Sequence, residues 1–324
     1  GPADVVLVSG MGDLAGCVGL TRRFLGDPPV VLYLHENQLL YPTSPNQRGA
    51  ASDEFPLVNW MGMVAADQVW CNSAFQRDGL LATLPDLLGR APDQSHLGFL
   101  GEVAHRCHVV PVGVDLADVP VPEEGVSERR APTGPAGPLV LWNQRWDHDK
   151  NPKAVLDALC RLADEGVAFR VALVGENERV DPREFVEARE HLGDRVVAWG
   201  FQDRAAYVDL LGRSDVVVSA AHHEFFGIAV VEAMAAGCVP VLPTRQSYPE
   251  LVGSWADGAL YPDAPFSSVS SETGLRTRLR DVLVDLDGWR ARVVGLDEAI
   301  RRFDWRTVIV DYDDRLEALA GGSH

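Results

Sequence analysis

The chain has 324 residues, of which 47 are aspartate or glutamate and 29 are lysine or arginine, so its formal net charge is −18. At roughly 150 residues per domain, this length predicts two domains and excludes a single small disulfide-stapled module. The negative charge excludes a protein that holds polyanions by bulk electrostatics, so a nucleic-acid partner would need a local basic patch.

The composition is that of an ordinary globular protein, with 46% hydrophobic and 23% charged residues. The five cysteines stand far apart without a Cys-x-x-Cys pair, which predicts buried free thiols in a reducing compartment. No run approaches ~18 apolar residues and no basic leader precedes the first strand, so we expect a cytoplasmic protein without membrane association. The cysteines are Cys17, Cys71, Cys107, Cys160 and Cys238.

Short β-branched runs alternate with segments of helical spacing before residue 119, and a Pro/Gly-rich stretch over 119–138 then predicts an interdomain linker. The last helices of the chain are amphipathic and need not all belong to the second domain. Predicted strands of the first series are 4–9, 29–35, 68–73 and 108–112, with helices over 55–66 and 74–90. The second series has strands over 139–143, 169–175, 196–200, 215–221 and 238–242, and helices over 152–165, 182–192, 203–213, 227–236, 275–286, 288–303 and 305–319.

Strands that alternate with helices in this way predict an α/β protein with parallel sheets covered on both faces. We therefore expect two Rossmann-like, doubly wound domains that face each other across a cleft. Their predicted bounds are 1–130 and 131–324, with the last helix packing back on the first domain. In such sheets ligands bind beyond the carboxyl ends of the strands, so the polar residues there are the candidates for function.

One polar loop follows the predicted strand 215–221 and enters a helix at Gly227. A glycine there allows close approach of the backbone to a ligand, and the helix N-terminus offers N–H groups to a phosphate or a sugar hydroxyl. Glu224 precedes the helix and Glu232 lies in its second turn, so the two carboxylates could contact different parts of one extended ligand. The alternative is that both are solvated surface glutamates.

A second loop follows the predicted strand 139–143 and contains Arg145 and Lys150. Two cations next to a helix N-terminus can hold a pyrophosphate. The alternative is that they form salt bridges with Asp147 or Asp149.

A third polar stretch follows the predicted strand 29–35 and contains His35. Adjacent hydrogen-bonding groups at a strand end suit the binding of a sugar or another polar acceptor, although a histidine at a strand end can also be purely structural. The candidate acceptor residues are Glu36, Asn37, Gln38 and Tyr41.

Other site classes find no support in the sequence. It has no phosphate-binding Gly-x-x-x-x-Gly-Lys loop, no Gly-x-Ser-x-Gly elbow and no His-Glu-x-x-His motif. His222 and His223 are adjacent and lack a third spaced ligand, so we expect no metal site.

These motifs, in this order, resemble those of the retaining GT-B nucleotide-sugar glycosyltransferases with a Glu-x7-Glu pair. The finer pattern is similar to that of the tRNA-queuosine α-mannosyltransferase family. The segments that carry this resemblance are His35-Glu36-Asn37-Gln38-Leu39 with Tyr41-Pro42, Arg145-Trp146-Asp147-His148-Asp149-Lys150, His223-Glu224-Phe225-Phe226-Gly227 and Tyr248-Pro249-Glu250.

The resemblance implies a hexosyltransferase that moves mannose from GDP-mannose, with retention and without a cofactor, to the queuosine of a tRNA anticodon. It places His35 beside the reacting carbon, Arg145 and Lys150 on the donor diphosphate, and Glu232 on the donor ribose. Glu224 would bind the transferred sugar together with the backbone of Phe226, Gly227 and Ile228. The expected neighbours of the guanosine are Gly175, Gly200 and Phe201.

Two other functions stay open at this point. One is a GT-B glycosyltransferase that acts on a small-molecule or lipid acceptor, and the other is a nucleotide-sugar-binding partner without catalysis. A tRNA acceptor requires a basic patch, for which the candidates are Arg22, Arg23, Arg48 and Arg77. The family also has a preceding strand and Gly-rich loop, for which we find no counterpart before Ala3, and Asn143-Gln144 stands where its animal members have Pro-His.

Overall fold

The computed structural model of the chain describes residues 3–10, 12–37, 39, 54–91, 93–122, 137–175, 182–262 and 268–321. It forms two compact units. Unit 1 comprises Gly1–Gly113 with Trp305–His324, and unit 2 comprises Val114–Asp304.

Unit 1 contains a parallel sheet with the strand order β1-β2-β3-β4. Local capping fixes where two of its helices begin, because Asp13 accepts a hydrogen bond from the Gly16 amide and Ser73 accepts one from the Gln76 amide. The strands are β1 (Val6–Ser9), β2 (Val30–Leu34), β3 (Gln68–Cys71) and β4 (Cys107–Val109). The helices are α1 (Leu14–Leu25), α2 (Glu54–Ala65), α3 (Ala74–Leu88) and α4 (Leu100–Arg106).

The last helix of the chain, α14 (Trp305–Gly321), packs in unit 1. Its Tyr312 is buried in a cluster with Tyr33 and Trp70, and the hydroxyl groups of Tyr33 and Tyr312 lie 2.7 Å apart. Tyr33 also donates to the carbonyl of Val110, so its hydroxyl is satisfied inside the core.

Unit 2 contains a six-stranded parallel sheet with the order β10-β9-β8-β5-β6-β7. Its strands are β5 (Leu139–Trp142), β6 (Arg170–Val174), β7 (Val196–Gly200), β8 (Val216–Val218), β9 (Val239–Pro243) and β10 (Leu260–Tyr261). Its helices are α5 (Pro152–Asp164), α6 (Arg183–Leu192), α7 (Arg204–Arg213), α8 (Ile228–Ala235), α9 (Tyr248–Val252), α10 (Ala256–Ala259), α11 (Ser268–Val284), α12 (Leu286–Arg292) and α13 (Leu296–Ile300).

The order of the strands in unit 2 creates a natural ligand site. Strands β5, β8 and β9 are buried along their whole length, as expected for strands covered on both faces. From β5 the chain builds outward through β6 and β7, and it then returns to place β8 on the other side of β5. This reversal is a topological switch point, and it opens a crevice beyond the carboxyl ends of β5 and β8.

The predicted α/β class with parallel sheets is confirmed, and some predicted elements need correction. The single helix predicted over 288–303 is wrong, because the chain forms α12 and α13 with a break at Gly295, whose φ is +82°. The strand predicted over 215–221 is only Val216–Val218, since Ser219 begins a hydrogen-bonded turn to the Ala221 amide. Of the predicted linker, residues 123–136 lie outside the described residues. In the described part of the chain, no helix is long and apolar enough to cross a membrane.

Candidate functional site

The loops that follow β5 and β8 meet at the switch point of unit 2. The backbone carbonyl of Asp149 accepts hydrogen bonds from the amides of His222 and His223, at 2.8 and 3.2 Å. These bonds join the loop that carries Lys150 to the loop that carries Glu224. The structure therefore brings together two predicted site residues that are far apart in sequence.

Lys150 is the centre of this junction. Its ammonium donates to Oε2 of Glu224 at 3.1 Å and to the carbonyl of His223 at 2.9 Å, and it lies 3.3 Å from Oδ2 of Asp149. Its side chain is only 12% exposed. Burial by itself lowers the pKa of Lys150, but the carboxylates of Glu224 and Asp149 outweigh burial and raise that pKa above its ordinary value. Lys150 is therefore a fixed, fully charged cation.

Arg145 differs from Lys150 because its side chain is 64% exposed. It lies 3.2 Å from Oδ2 of Asp147 and 3.9 Å from Oδ2 of Asp149. The salt bridges considered as the alternative for these two cations thus form in the structure. An exposed pair of this kind contributes only about 0–1 kcal/mol, so Arg145 can turn toward an anion at little cost.

The loop around Glu224 is held from β9. The hydroxyl of Ser247 lies 3.1 Å from the carbonyl oxygens of both Glu224 and Phe226, and Arg245 donates to the carbonyls of Ala220 and Ala221. These contacts turn the loop carbonyls toward the protein. Sequence reasoning missed both residues.

His223 is buried and uncharged. Burial and the nearby ammonium of Lys150 lower its pKa to about 4, and the Asp149 carboxylate opposes that change. Its ring packs edge-on against Phe225 with the ring centroids 4.2 Å apart. His223 thus behaves as a packing residue of the loop rather than as a cation.

Gly227 is the N-cap residue of helix α8 and has a left-handed conformation, with φ +97° and ψ +53°. A Cβ atom at this position would lie 3.4 Å from Cγ of Glu224. The positive φ therefore requires glycine for the turn, whereas an added Cβ would make only ordinary van der Waals contact with Glu224. The first helical residue, Ile228, is exposed, so the free amides of the first turn of α8 lie near the surface.

Glu232 lies one turn further along α8, with its side chain 11% exposed. Its Oε1 accepts from Nη1 of Arg204 at 2.6 Å, and its Oε2 accepts from the hydroxyl of Tyr207 at 3.0 Å. Sequence reasoning missed Arg204 and Tyr207. Both lie in the first turn of α7, directly after the loop at Gly200, and that position next to a predicted ligand-binding loop could have indicated them.

Three further predicted residues lie at the ends of β6 and β7. The amide of Gly175 donates to the carbonyl of Gly200 at 3.2 Å, so these two glycines are neighbours. A Cβ atom at Gly175 would lie 2.1 Å from the carbonyl oxygen of Gln144, so only glycine permits this approach to the β5 loop. Phe201 is 69% exposed and leaves an aromatic ring at the sheet edge.

In unit 1, His35 follows β2 and is exposed. Partial burial of the imidazole lowers its pKa, and Glu36 opposes that change. The His35 carbonyl accepts from the side-chain amide of Asn72 at 3.0 Å, and its ring lies 4.3 Å from that of Tyr33. Asn37 is buried and accepts from the Leu39 amide. Gln38 and Tyr41 lie outside the described residues.

The arginines predicted to form a basic patch are only partly described. Arg23 is exposed on α1, and Arg77 is paired with Asp78 at 2.8 Å. The side chain of Arg22 and the whole of Arg48 lie outside the described part of the chain. Across the described ranges, no three His, Cys, Asp or Glu side chains come together as a group that could hold a metal ion.

The fold is that of known glycosyltransferases. Sucrose-phosphate synthase from Thermosynechococcus elongatus superposes with a TM-score of 0.72 at 19% identity, over 99% of this chain and 74% of that one. HepE from Anabaena, solved with UDP-glucose, superposes with a TM-score of 0.68 at 21% identity, over 97% of this chain and 79% of that one. A family model described as "Glycosyl transferases group 1" matches residues 128–269. Together these matches define the fold as that of the GT-B glycosyltransferases.

The N-terminal part of the chain resembles a narrower family. Residues 1–114 match the family model described as "tRNA-queuosine alpha-mannosyltransferase N-terminal". The chain is 34% identical over 248 residues to the tRNA-queuosine alpha-mannosyltransferase of Drosophila melanogaster. The aligned region covers 76% of this chain and 65% of that protein. Over these stretches the chain is similar to the tRNA-queuosine alpha-mannosyltransferase family.

More distant relatives match mainly in part of the chain. A GDP-mannose-dependent alpha-(1-6)-phosphatidylinositol dimannoside mannosyltransferase of Mycobacterium tuberculosis is 30% identical over 44% of this chain and 37% of its own length. The chain thus spans just under two thirds of the Drosophila relative and about a third of the mycobacterial one.

Proposed function

We propose that this protein transfers mannose from GDP-mannose to the queuosine of a tRNA, with retention of the anomeric configuration. The observation that carries the proposal is the buried Lys150–Glu224 pair at the switch point of unit 2. The similarity to the Drosophila tRNA-queuosine alpha-mannosyltransferase supports the acceptor, and the name of the mycobacterial relative supports the donor.

The proposed donor diphosphate is bound by Arg145 and Lys150. Lys150 supplies a charge that is already fixed, while Arg145 is exposed and can close on the second phosphate with its planar guanidinium. Negative charge grows on the leaving diphosphate in the transition state, so cations placed there stabilise that state more than the ground state. We propose that these two residues suffice and that no metal ion takes part.

The transferred sugar is proposed to lie against Glu224. One oxygen of this carboxylate is held by Lys150, which leaves acceptor capacity for sugar hydroxyls. The amides at the start of α8 offer donors next to it, in agreement with the proposed roles of Phe226, Gly227 and Ile228. The guanosine is proposed to bind near Gly175, Gly200 and Phe201, with its ribose on Glu232.

The proposed reaction takes place on one face of the sugar. The bond between the anomeric carbon and the β-phosphate oxygen breaks as the acceptor hydroxyl oxygen bonds to that carbon. The proton of the acceptor hydroxyl passes to the leaving phosphate oxygen, so the products are GDP and the mannoside. His35, whose lowered pKa keeps it neutral at pH 7, is proposed to lie beside the reacting carbon as a hydrogen-bonding group.

The acceptor side of the proposal belongs to unit 1. Glu36, Asn37, Gln38 and Tyr41 are the proposed contacts to the queuosine, and Arg22, Arg23, Arg48 and Arg77 the proposed contacts to tRNA phosphates. Since the formal charge of the chain is −18, such contacts have to be local. The proposed location of the enzyme is the cytoplasm.

The test is a transfer assay with GDP-mannose and tRNA that contains queuosine, read by mass spectrometry of the nucleosides. We expect queuosine to gain the mass of one hexose, while the same tRNA with guanosine at that position gains nothing. Parallel reactions with UDP-glucose and UDP-mannose test the donor. Hexose release to water or to a small-molecule alcohol, with unmodified queuosine, would contradict the proposed acceptor.

A further inference from the structure

We infer that Arg204 is a positioning residue that holds the Glu232 carboxylate toward the ribose hydroxyls of the donor nucleotide and thereby makes the site selective for ribonucleotides. This inference rests on the proposed function, because it assumes that unit 2 binds a nucleoside diphosphate. Arg204 itself is not proposed to touch the nucleotide.

The contacts of Arg204 fix it from two directions. Its Nη1 donates to Oε1 of Glu232 at 2.6 Å. On the other side, its Nε and Nη2 donate to the two carboxylate oxygens of Asp118 at 2.9 and 2.5 Å, and Nη2 also donates to the carbonyl of Asp115 at 3.3 Å. A two-point contact with one carboxylate fixes the plane of the guanidinium. Arg204 can therefore hold Glu232 in a single orientation.

Asp118 is the anchor of this arrangement. It lies 86 positions before Arg204, in the segment that opens unit 2. The hydrogen bonds from Arg204 lower the pKa of the Asp118 carboxyl group, so Asp118 stays ionised near neutral pH. The charge of Arg204 is thus shared between one anchoring carboxylate and one functional carboxylate.

Tyr207 completes the orientation of Glu232. Its hydroxyl donates to Oε2 at 3.0 Å and accepts from the side-chain amide of Asn143 at 2.9 Å. That amide also donates to the carbonyl of Ala229 in the first turn of α8. Each oxygen of Glu232 therefore has one protein donor.

A carboxylate with one donor on each oxygen retains acceptor capacity for about two more hydrogen bonds. An ionised carboxylate can only accept, and a ribose diol can supply two O–H donors. The match is lost when the sugar has no hydroxyl groups at its 2′ and 3′ positions, because the burial of an unsatisfied charged group is costly. The chemistry of Glu232 in this setting therefore selects ribose over dideoxyribose.

The cation is also needed for electrostatic reasons. Glu232 is largely buried on an acidic chain, and the proposed ligand is itself a polyanion. Without Arg204, the carboxylate would repel the phosphates and would lack compensation for its own burial. With Arg204 in place, the cluster of Asp118, Arg204 and Glu232 carries one net negative charge instead of two, so its repulsion of the phosphates is reduced.

The test compares the binding of GDP and 2′,3′-dideoxy-GDP by titration calorimetry in the full chain. We expect wild-type protein to bind GDP at least about tenfold more tightly, as hydrogen bonds to a charged group predict. Arg204→Gln should lower that ratio to within about twofold of one. Arg204→Lys should give an intermediate ratio, because a lysine keeps the charge and loses the planar two-point contact.

A matched control removes another arginine of the same helix. Arg213 is exposed and paired with Asp209 one turn away, so Arg213→Gln should leave the ratio unchanged. In transfer assays Arg204→Gln should raise KM for the donor with a smaller effect on kcat. Thermal unfolding of each variant shows whether it is folded.

The outcomes separate this inference from the function on which it rests. An Arg204→Gln protein that binds both nucleotides more weakly but keeps the wild-type ratio would show a purely structural role and overturn the inference. If wild-type protein binds UDP or ADP instead of GDP, the same ratio is measured with that nucleotide, and only the proposed donor fails. If it binds none of the three, both proposals fail.

Discussion

The ammonium of Lys150 lies 3.1 Å from the carboxylate of Glu224, although the two residues are 74 positions apart. The bond joins the loop after β5 to the loop after β8 at the place where the strand order of unit 2 reverses. Asp149 reinforces it through its carboxylate and its backbone carbonyl. A buried ion pair of this kind is costly to break from one side, because the remaining charge has no compensation.

Replacement of Lys150 should therefore reduce catalysis strongly. We expect Lys150→Ala to lower kcat/KM by about a hundredfold to a thousandfold, the size of effect seen when one charge-stabilising donor is removed from a transition state. The measurement is the initial rate of hexose transfer, normalised to folded protein. Lys153 is the control, since it lies in the first turn of α5 and pairs with Asp157 on the surface. If Lys153→Ala lost as much activity as Lys150→Ala, the assignment would be wrong.

Gly227 should be required for donor binding beyond its effect on stability. Its φ of +97° makes alanine unfavourable there by about 1–2 kcal/mol, and the strained turn lies in contact with Glu224 at the start of α8. Gly166 has a similar φ of +75° with open space around it, so Gly166→Ala is the matched variant. We expect Gly227→Ala and Gly166→Ala to lose similar amounts of unfolding free energy, measured in urea. Only Gly227→Ala should bind GDP more weakly than the wild type. Equal GDP affinities in the two variants would count against a site at the start of α8.

The buried His223 should make unit 2 less stable in acid. Its pKa of about 4 lies below the value of about 6.5 for an exposed histidine. Between these two pH values the His223 imidazole is protonated in the unfolded chain and neutral in the folded chain. Stability is therefore fully present above pH 6.5 and is lost as the pH falls toward 4, by up to about 3 kcal/mol.

The measurement is the free energy of unfolding between pH 7 and pH 4. We expect His223→Gln to show a smaller loss over this range than the wild type. His191 is exposed and lies beside Asp164, so His191→Gln should not reduce the loss. A wild-type pH dependence that His223→Gln leaves unaltered would show that another group is responsible.

The hydroxyl pair that joins β2 to α14 should contribute to the stability of unit 1. Tyr312→Phe removes the contact with the Tyr33 hydroxyl and the bond to the Pro111 carbonyl, at a cost of about 1–2 kcal/mol. Tyr33→Phe should have a similar cost. Since the two hydroxyls contact each other, the double variant should lose less than the sum, and strict additivity would argue that the contact contributes nothing.

Much of the fold could be predicted because its signals are local. Each strand of unit 2 from β5 to β9 coincides with a short β-branched run, and the cores of α5 and α7 follow from helical spacing. The break at Gly295 could not be predicted, because apolar spacing continues on both sides of it while the backbone turns to a positive φ. Strand β10 has only the two residues Leu260 and Tyr261, too few to form a pattern.

The residues of the candidate site's loops could be predicted from the sequence, but the residues that position them could not. Lys150 and Glu224 lie in the loops that follow β5 and β8, and Gly227 precedes α8, where the rules for parallel sheets locate ligands. Only tertiary packing brings Arg204 to Glu232, across 28 positions of the chain, and Asp118 to Arg204, across 86 positions. A single sequence does not reveal which distant residues will come into contact. Residues that position a functional side chain are therefore harder to predict than the functional residues of the loops themselves.

The central claim is that Arg145 and Lys150 together stabilise the departing diphosphate during hexose transfer. The most direct test is single-turnover transfer from GDP-mannose to queuosine-containing tRNA by wild-type protein and by the Arg145→Ala, Lys150→Ala double variant. We predict one hexose on queuosine with the wild type and transfer slowed by at least about a hundredfold in a folded double variant. Transfer at the wild-type rate by the double variant would contradict the claim.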